Sequence, residues 1–274
     1  MTRPASLDIV IVTFNSRNDI GGCLESLRTH PPPCAWHVVV VDNGSTDDTA
    51  GWLRAHAPEV TVVAAGENRG FAWANNVGIR HGQADAVLLL NPDTVARPGS
   101  LETLLRALAD TPQAAAAGPR LVDATGRAEI SWGPMIGPFN ELRQKLIGRL
   151  YDRRVGGLER WVDRQSRRRR FVDWVSGACL LVWRVDAEAV GLLDERYFMY
   201  TEDVDFCAAL RARGRRVLYA GDADLTHLRG RSRATRAAFA EAAYRRSQLA
   251  FYEKHHPRWV PWLRRYLRLR GVRP

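Results

Sequence analysis

Apolar residues in the first hundred positions fall into short β-branched runs separated by amphipathic stretches of helix length. Residues 8–13 (DIVIVT) and 37–42 (HVVVVD) are such runs. Continuous apolar runs this short predict strands buried on both faces. Residues 60–64 and Ala86–Leu90 (AVLLL) predict a third and a fourth strand. Between these, Ile20–Thr29, a stretch capped by Ser45 or Thr46 and running to His56, residues 72–81, and Ser100–Ala109 read as helices. The last follows Pro98-Gly99 and takes Ser100 as its cap. Strands alternating with helices through such short connections imply a parallel sheet with helices on both faces.

The second half is less regular. Residues 131–170 are rich in Gly, Pro, Trp and Arg and predict a mobile basic excursion around one helix at 139–149. Cys179–Trp183 (CLLVW) predicts a buried strand, 204–213 a helix and 216–219 a strand. A long alanine-rich helix follows at 234–255. After Pro257 comes 259–270 (WVPWLRRYLRLR), an aromatic and basic amphipathic tail. The pattern divides the chain into an α/β body, 1–232, and a C-terminal helical basic extension, 233–274.

Composition narrows the class. The chain has 274 residues, 46% hydrophobic and 26% charged, which suffices for a large core and excludes general disorder. No run approaches the ~18 apolar residues of a membrane-spanning helix. The first residues lead straight into a strand and do not read as a secretory signal. Four cysteines, Cys23, Cys34, Cys179 and Cys207, form no metal-type spacing and predict reduced thiols in a cytoplasmic protein.

Charge is uneven. The net of +10 conceals eleven basic against three acidic residues in 143–170, and seven basic against none in 254–274. The rest of the chain is therefore acidic on balance. Such patches call for an anionic partner. No helix-turn-helix, RRM or zinc pattern accompanies them, and they lie outside the strand–helix body, so sequence-specific nucleic-acid binding is disfavoured. An anionic membrane surface suits the Arg167–Arg170 run and the aromatic tail, which has the composition of an interfacial helix. The tail's Trp259, Trp262 and Tyr266 would equally suit packing against the body.

In an open parallel sheet, ligands bind beyond the carboxyl ends of the strands. Here those ends carry Thr13-Phe14-Asn15, Asp42-Asn43-Gly44-Ser45 and Asn91-Pro92-Asp93, all on one edge. No GxGxxG follows the first strand and no GxxxxGK[ST] occurs, which argues against dinucleotide and P-loop chemistry. Asp42 could accept hydrogen bonds from a ribose or base. Asp93 could ligate a hard divalent cation, whose remaining oxygens would come from substrate phosphates.

Taken in order, IVTFN (11–15), VVDNGSTDDT (40–49), ENRGFAWANNVGI (67–79), LLLNPD (88–93), WVSGACLLVWR (174–184), GLLDERYFMYTEDVDFCAALRARG (191–214) and the region of His227 resemble the inverting family 2 glycosyltransferases of GT-A fold. The resemblance is greatest to bacterial rhamnosyltransferases that use dTDP-L-rhamnose. It implies a Rossmann-like, mostly parallel sheet and transfer of a sugar to a saccharide or polyprenyl-diphosphate-linked acceptor at the inner face of the cell membrane. A UDP- or GDP-sugar donor is the alternative within the same fold.

The resemblance also implies roles. Thr13, Asn15 and Asp42 would line the nucleotide pocket, and Asn68, Arg69 and Gly70 would approach the donor. Arg69 would neutralise the diphosphate, and Gly70 would permit close backbone approach. Asn91-Pro92-Asp93 stands where the family has DxD, with Asn91 replacing the first Asp. Asp93 and His227 would hold Mg2+ or Mn2+. Asp203, in Thr201-Glu202-Asp203, would be the general base. Glu202 and Asp205 would orient the acceptor or meet Arg231. Gly177 would wall the sugar site, and Trp174 would stack on a sugar or pack in the core. Trp73 replaces a residue that is often small in relatives. The QxxRW motif of processive relatives is absent, which implies addition of a single sugar.

Overall fold

The computed structural model describes residues 3–228 and 237–269. In chain order it forms β1 (Ser6–Thr13), α1 (Ile20–Thr29), β2 (Ala35–Asp42), α2 (Thr49–His56), β3 (Thr61–Ala64), α3 (Phe71–His81), β4 (Ala86–Leu90), β5 (Thr94–Val95), α4 (Ser100–Ala109), β6 (Ala114–Val122) and β7 (Trp132–Gly133). It continues with α5 (Pro138–Asp152), α6 (Gly156–Ser166), β8 (Arg170–Val172), β9 (Trp174–Val175), β10 (Cys179–Trp183), α7 (Arg184–Ala189), α8 (Glu202–Ala212), β11 (Arg216–His227), α9 (Ala237–His255) and α10 (Val260–Leu269). A 3-10 turn, Pro257–Trp259, leads into α10.

The main sheet runs β3-β2-β1-β4-β10-β6-β11-β5, with β8 also on β11. The β3-β2-β1-β4 side is parallel, as strand–helix alternation requires. Its strands are buried on both faces. Ile9, Ile11, Val38, Val40, Leu88 and Leu90 pack toward α1 and α4. The alternating set Val10, Val87 and Leu89 packs with α3 and α8, and Val39 and Val41 with α3. Beyond β4 the pattern changes: β10 lies antiparallel between β4 and β6, so the sheet is mostly rather than wholly parallel.

Several elements depart from the sequence expectation. β6 (AAAAGPRLV) carries no strand signal, because alanine has little β preference and Pro119 cannot donate to a ladder. It is accommodated by a bulge: the register with β11 shifts between Ala220 and Asp224, opposite Pro119 and Arg120. The same bulge hides the length of β11, whose AGDAD stretch reads as a turn but extends the strand to His227. Residues 131–170 form two helices, α5 and α6, rather than one. α2 begins at Thr49 behind Asp48, because Ser45 and Thr46 bond back to Asn15 instead of capping a helix.

The C-terminal helices share a core with the body. Phe251, Tyr252, Leu263 and Leu267 pack with Ile136, Tyr197 and Val204. A buried carboxylate, Glu141 on α5, accepts hydrogen bonds from Tyr244, Gln248 and Tyr252 on α9. The four cysteines are free. Among the described residues no helix is long and apolar enough to cross a membrane.

Candidate active site

The parallel register aligns Thr13 with Asp42 at the carboxyl ends of β1 and β2. The Thr13 hydroxyl donates to Asp42 Oδ1 at 3.0 Å, and the Ser45 N–H donates to Oδ2 at 3.2 Å. Asp42 is buried and doubles as a turn-former. Asn15 adopts φ 54° and accepts the Thr46 N–H at 2.7 Å, which stitches the two strand-end loops together. Thr13, Asn15 and Asp42 therefore meet in one place, as the resemblance implies.

Asn43, a strand-end residue beside Asp42 to which the resemblance gives no role, ties in the next loop. Its carboxamide accepts the Arg69 N–H at 3.0 Å and donates to Asn68 Oδ1 at 3.0 Å and to the Gly70 carbonyl at 3.2 Å. Gly70, with φ 93°, is needed for a different contact from the one expected. A Cβ there would lie 2.6 Å from the Phe198 carbonyl oxygen, so the close approach is to the chain's own backbone. The Phe71 N–H donates to that carbonyl at 2.7 Å and joins α3 to the segment before α8. Arg69 is exposed, and its guanidinium lies over the Trp73 ring at 4.1 Å. The large residue at 73 thus serves as a platform for the arginine.

Asp93 and His227 are brought together by β5, whose Thr94 pairs with His227 on β11. His227 Nε2 lies 3.1 Å from Asp93 Oδ1, and its Nδ1 lies 3.0 Å from Glu129 Oε2. The Asn91 carboxamide stands 3.4 Å from Nε2. Burial lowers the His227 pKa, but the hydrogen bonds to Asp93 and Glu129 outweigh it and push it up to about 9. Glu129 is buried and belongs to no motif, so no sequence signal pointed to it. It fixes the imidazole with Nε2 facing Asp93, the arrangement of a histidine ligand oriented by a carboxylate. A carboxylate, an oriented imidazole and a carboxamide converging here fit a divalent cation. Among the described residues no cluster of three or more His, Cys, Asp or Glu side chains forms a complete shell. Phosphate oxygens would have to complete it.

The third corner is the start of α8. Tyr200 and Thr201 both adopt left-handed backbone, φ 71° and 67°, immediately before Glu202-Asp203. Two strained non-glycine residues in sequence mark a turn held in place by its surroundings. Asp203 accepts the Gly177 N–H at Oδ2 and the Val204 N–H at Oδ1, both at 2.8 Å. Gly177 adjoins Ala178, whose carbonyl accepts the Asn91 N–H at 3.0 Å. One dipeptide thus connects the Asn91–Asp93 corner to Asp203.

Burial raises the Asp203 pKa, and its two N–H donors work against the rise. Glu202 is raised well above the usual carboxylate range, by burial and then by the neighbouring Asp203. Its Oε2 is buried without a hydrogen-bond partner. Of the pair, Asp203 is the more readily ionised, so it is the one that stands unprotonated and free to take a proton.

Of the expected acceptor residues, Asp205 is used internally, while Trp174 is half-buried. Asp205 is 2% exposed. It accepts bonds from Lys254 Nζ at 2.8 Å, His255 Nε2 at 2.6 Å and the Tyr197 hydroxyl at 3.2 Å, so it anchors α9 rather than facing an acceptor. Trp174 donates its indole N–H to the Pro134 carbonyl at 2.9 Å and packs between two apolar clusters. Arg231 lies outside the described residues.

Residues 8–169 match the family described as Glycosyl transferase family 2. The chain belongs to glycosyltransferase family 2. Over 266 residues this glycosyltransferase is 32% identical to the N-acetylglucosaminyl-diphospho-decaprenol L-rhamnosyltransferase of Mycobacterium tuberculosis, covering 92% of the chain and 86% of that protein. It is 28% identical over 209 residues to a low-salt glycan biosynthesis hexosyltransferase of Haloferax volcanii, covering 75% and 61% of the two chains. The fold matches a Pyrobaculum calidifontis mannosyltransferase solved with GDP-Man and Mn2+. The TM-score is 0.62 at 19% identity, over 96% of this chain and 69% of the other. It also matches GalNAc-T7 solved with UDP, GalNAc and Mn2+, with a TM-score of 0.60 at 13% identity over 82% and 44%. The glycosyltransferase thus has the GT-A architecture.

Proposed function

We propose that the enzyme is an inverting, non-processive rhamnosyltransferase that moves L-rhamnose from dTDP-L-rhamnose to a saccharide on a lipid diphosphate, using Mg2+ or Mn2+, in cell-surface polysaccharide synthesis. The observation that carries the sugar and the acceptor is the 32% identity, over 92% of the chain, to a protein whose name gives L-rhamnosyl transfer and a lipid-diphosphate acceptor; the dTDP nucleotide rests on the sequence resemblance.

The geometry supports single-displacement chemistry. An acceptor hydroxyl oxygen attacks the anomeric carbon while the bond from that carbon to the diphosphate oxygen breaks. The electron pair leaves with dTDP, and the hydroxyl proton passes to Asp203. Two backbone N–H groups hold the Asp203 carboxylate in position. Thr13, Asn15 and Asp42 serve the nucleoside end, and Asn68 fixes the loop that presents Arg69 to the diphosphate. Asp93, His227 and Asn91 would hold the cation, which supplies charge stabilisation to the departing diphosphate.

The test is turnover with a panel of nucleotide sugars in the presence of Mg2+ or Mn2+, with the anomeric outcome read by NMR. Preference for dTDP-L-rhamnose with inverted product supports the reading. Preference for a UDP- or GDP-sugar replaces the donor, and retained configuration overturns the mechanism.

A further inference from the structure

We propose that the exposed face shared by α5 and α10 docks the enzyme on an anionic lipid bilayer. This deepens the lipid-linked acceptor reading and rests on it for its purpose, while the surface itself rests on geometry.

α10 carries two apolar stripes side by side. Leu263 and Leu267 are buried against Phe251, Tyr252 and Ile136. Trp262, Tyr266 and Leu269 stand in solvent on the adjoining face, Trp262 at 66% and Leu269 at 80% exposure. α5 continues this surface with Phe139, Leu142 and Leu146, spaced as one helix face and 77%, 70% and 56% exposed. α5 meets the turn that leads into α10 edge to face through Phe139 and Trp259, whose ring centroids are 6.1 Å apart. A contiguous exposed apolar surface of this kind marks a site of association.

The charges around it select the partner. Arg143 and Arg149 on α5, and Arg258, Arg265 and Arg268 on or beside α10, are exposed, and none pairs with a described acidic side chain. Arg264 is paired, with Glu253 at 2.8 Å. A two-fold contact with a second copy would set these arginines against one another. A nucleic acid would satisfy the arginines but leave Leu142, Leu146 and Leu269 in water. Tryptophan, tyrosine and leucine rimmed by unpaired arginine suit a bilayer surface bearing anionic headgroups.

The Arg167–Arg170 run, expected to meet such a membrane, is largely spoken for. Arg167 pairs with Asp163 at 3.0 Å, Arg169 pairs with Asp222, and Arg170 bonds Gln165 and lies over Trp132 at 5.0 Å. The docking face is instead fastened to the catalytic helix. Lys254 and His255, just before the Pro257–Trp259 turn, bind Asp205 on α8. His256 lies 2.8 Å from the Ile136 carbonyl, just before α5. Docking through this face would hold α8, and with it Asp203, next to the membrane that carries the acceptor.

The experiment is co-sedimentation of the full chain with vesicles of phosphatidylglycerol and phosphatidylcholine, and of phosphatidylcholine alone. The wild type should favour the anionic vesicles, and binding should weaken with salt. Arg265→Gln with Arg268→Gln should lower partitioning onto anionic vesicles about five-fold for each arginine removed. Trp262→Ser with Leu269→Ser should lower it on both vesicles. Both double variants should keep wild-type thermal stability and wild-type turnover of a short-chain, water-soluble acceptor.

Wild type that ignores anionic vesicles, or variants that bind as wild type, overturn the proposal. So does a dimer in sedimentation that the apolar double variant dissociates, or tighter binding to duplex DNA than to vesicles. Vesicle binding in a chain that turns over no nucleotide sugar would sink the functional reading and leave the docking face standing.

Discussion

Gly177 donates its backbone N–H to Asp203 Oδ2 at 2.8 Å, and a Cβ at Gly177 would sit 3.3 Å from Asp203 Cβ and 3.4 Å from the Phe71 ring. The glycine proposed to wall the sugar site therefore also positions the carboxylate proposed as the base. Asp203→Asn keeps shape but cannot take a proton, so turnover should fall by roughly 10²–10⁴ with donor affinity, read by calorimetry, unchanged. Because burial raises the Asp203 pKa, kcat/KM should climb with pH through an ionisation above that of an ordinary aspartate. Near-normal turnover in Asp203→Asn would move the base elsewhere.

Glu202 contributes to a pH effect on stability. Its folded-state pKa is raised, by burial and then by Asp203. Below the unfolded pKa of about 4.3 the carboxyl is protonated in both states and adds no penalty. As pH rises toward the folded pKa, the unfolded chain releases the proton while the folded chain keeps it, so stability declines. Glu202→Gln should therefore match wild type in Tm near pH 4 and exceed it at pH 8. A Tm difference that is the same at both pH values would refute this.

Asp205 is the anchor between α8 and α9, with Lys254 and His255 against its oxygens. Asp205→Asn takes a buried carboxylate away from Lys254, which keeps Asp194 at 2.8 Å, and from His255 Nε2, and should cost about 2 kcal/mol, as for a buried polar contact left unmade. Chemical denaturation would read the loss. If Asp205 served the acceptor instead, the variant would keep its stability and raise KM for the acceptor.

The first half of the fold was legible because its strands are β-branched and its helices amphipathic, and the parallel register followed from their alternation. Thr13, Asp42 and Asp93 could be placed at one edge from that alone. What escaped depends on long-range packing. β6 is a strand because β10 and β11 flank it, not because alanine favours extended backbone. Glu129 reaches His227 across 98 residues of chain through the fold, with no local pattern to announce it. Asp205 and Asp203 look equivalent in sequence, two acids early in one helix. The resemblance points to Asp203 as the base, but that Asp205 is an anchor shows only once the C-terminal helix docks on it.

Asp93 and His227 should act as one unit in holding the cation and, through it, the donor diphosphate. Asp93 Oδ1 and His227 Nε2 are 3.1 Å apart, and Glu129 holds the far nitrogen of the ring at 3.0 Å. Asp93→Ala removes the carboxylate of a set that already has Asn91 where the family has its first acid. The variant should lose metal-dependent binding of the nucleotide diphosphate, read by calorimetry with and without Mn2+. Glu129→Gln keeps the ring's neighbour but not its charge. It should weaken metal-dependent binding by roughly 10–100-fold, as for other groups that orient a histidine ligand. Nucleotide binding without metal should be the same in both variants and in wild type, since Thr13, Asn15 and Asp42 lie at a separate corner. Full turnover in excess EDTA, or an Asp93→Ala variant that binds metal and nucleotide as wild type does, would remove the cation from this site altogether.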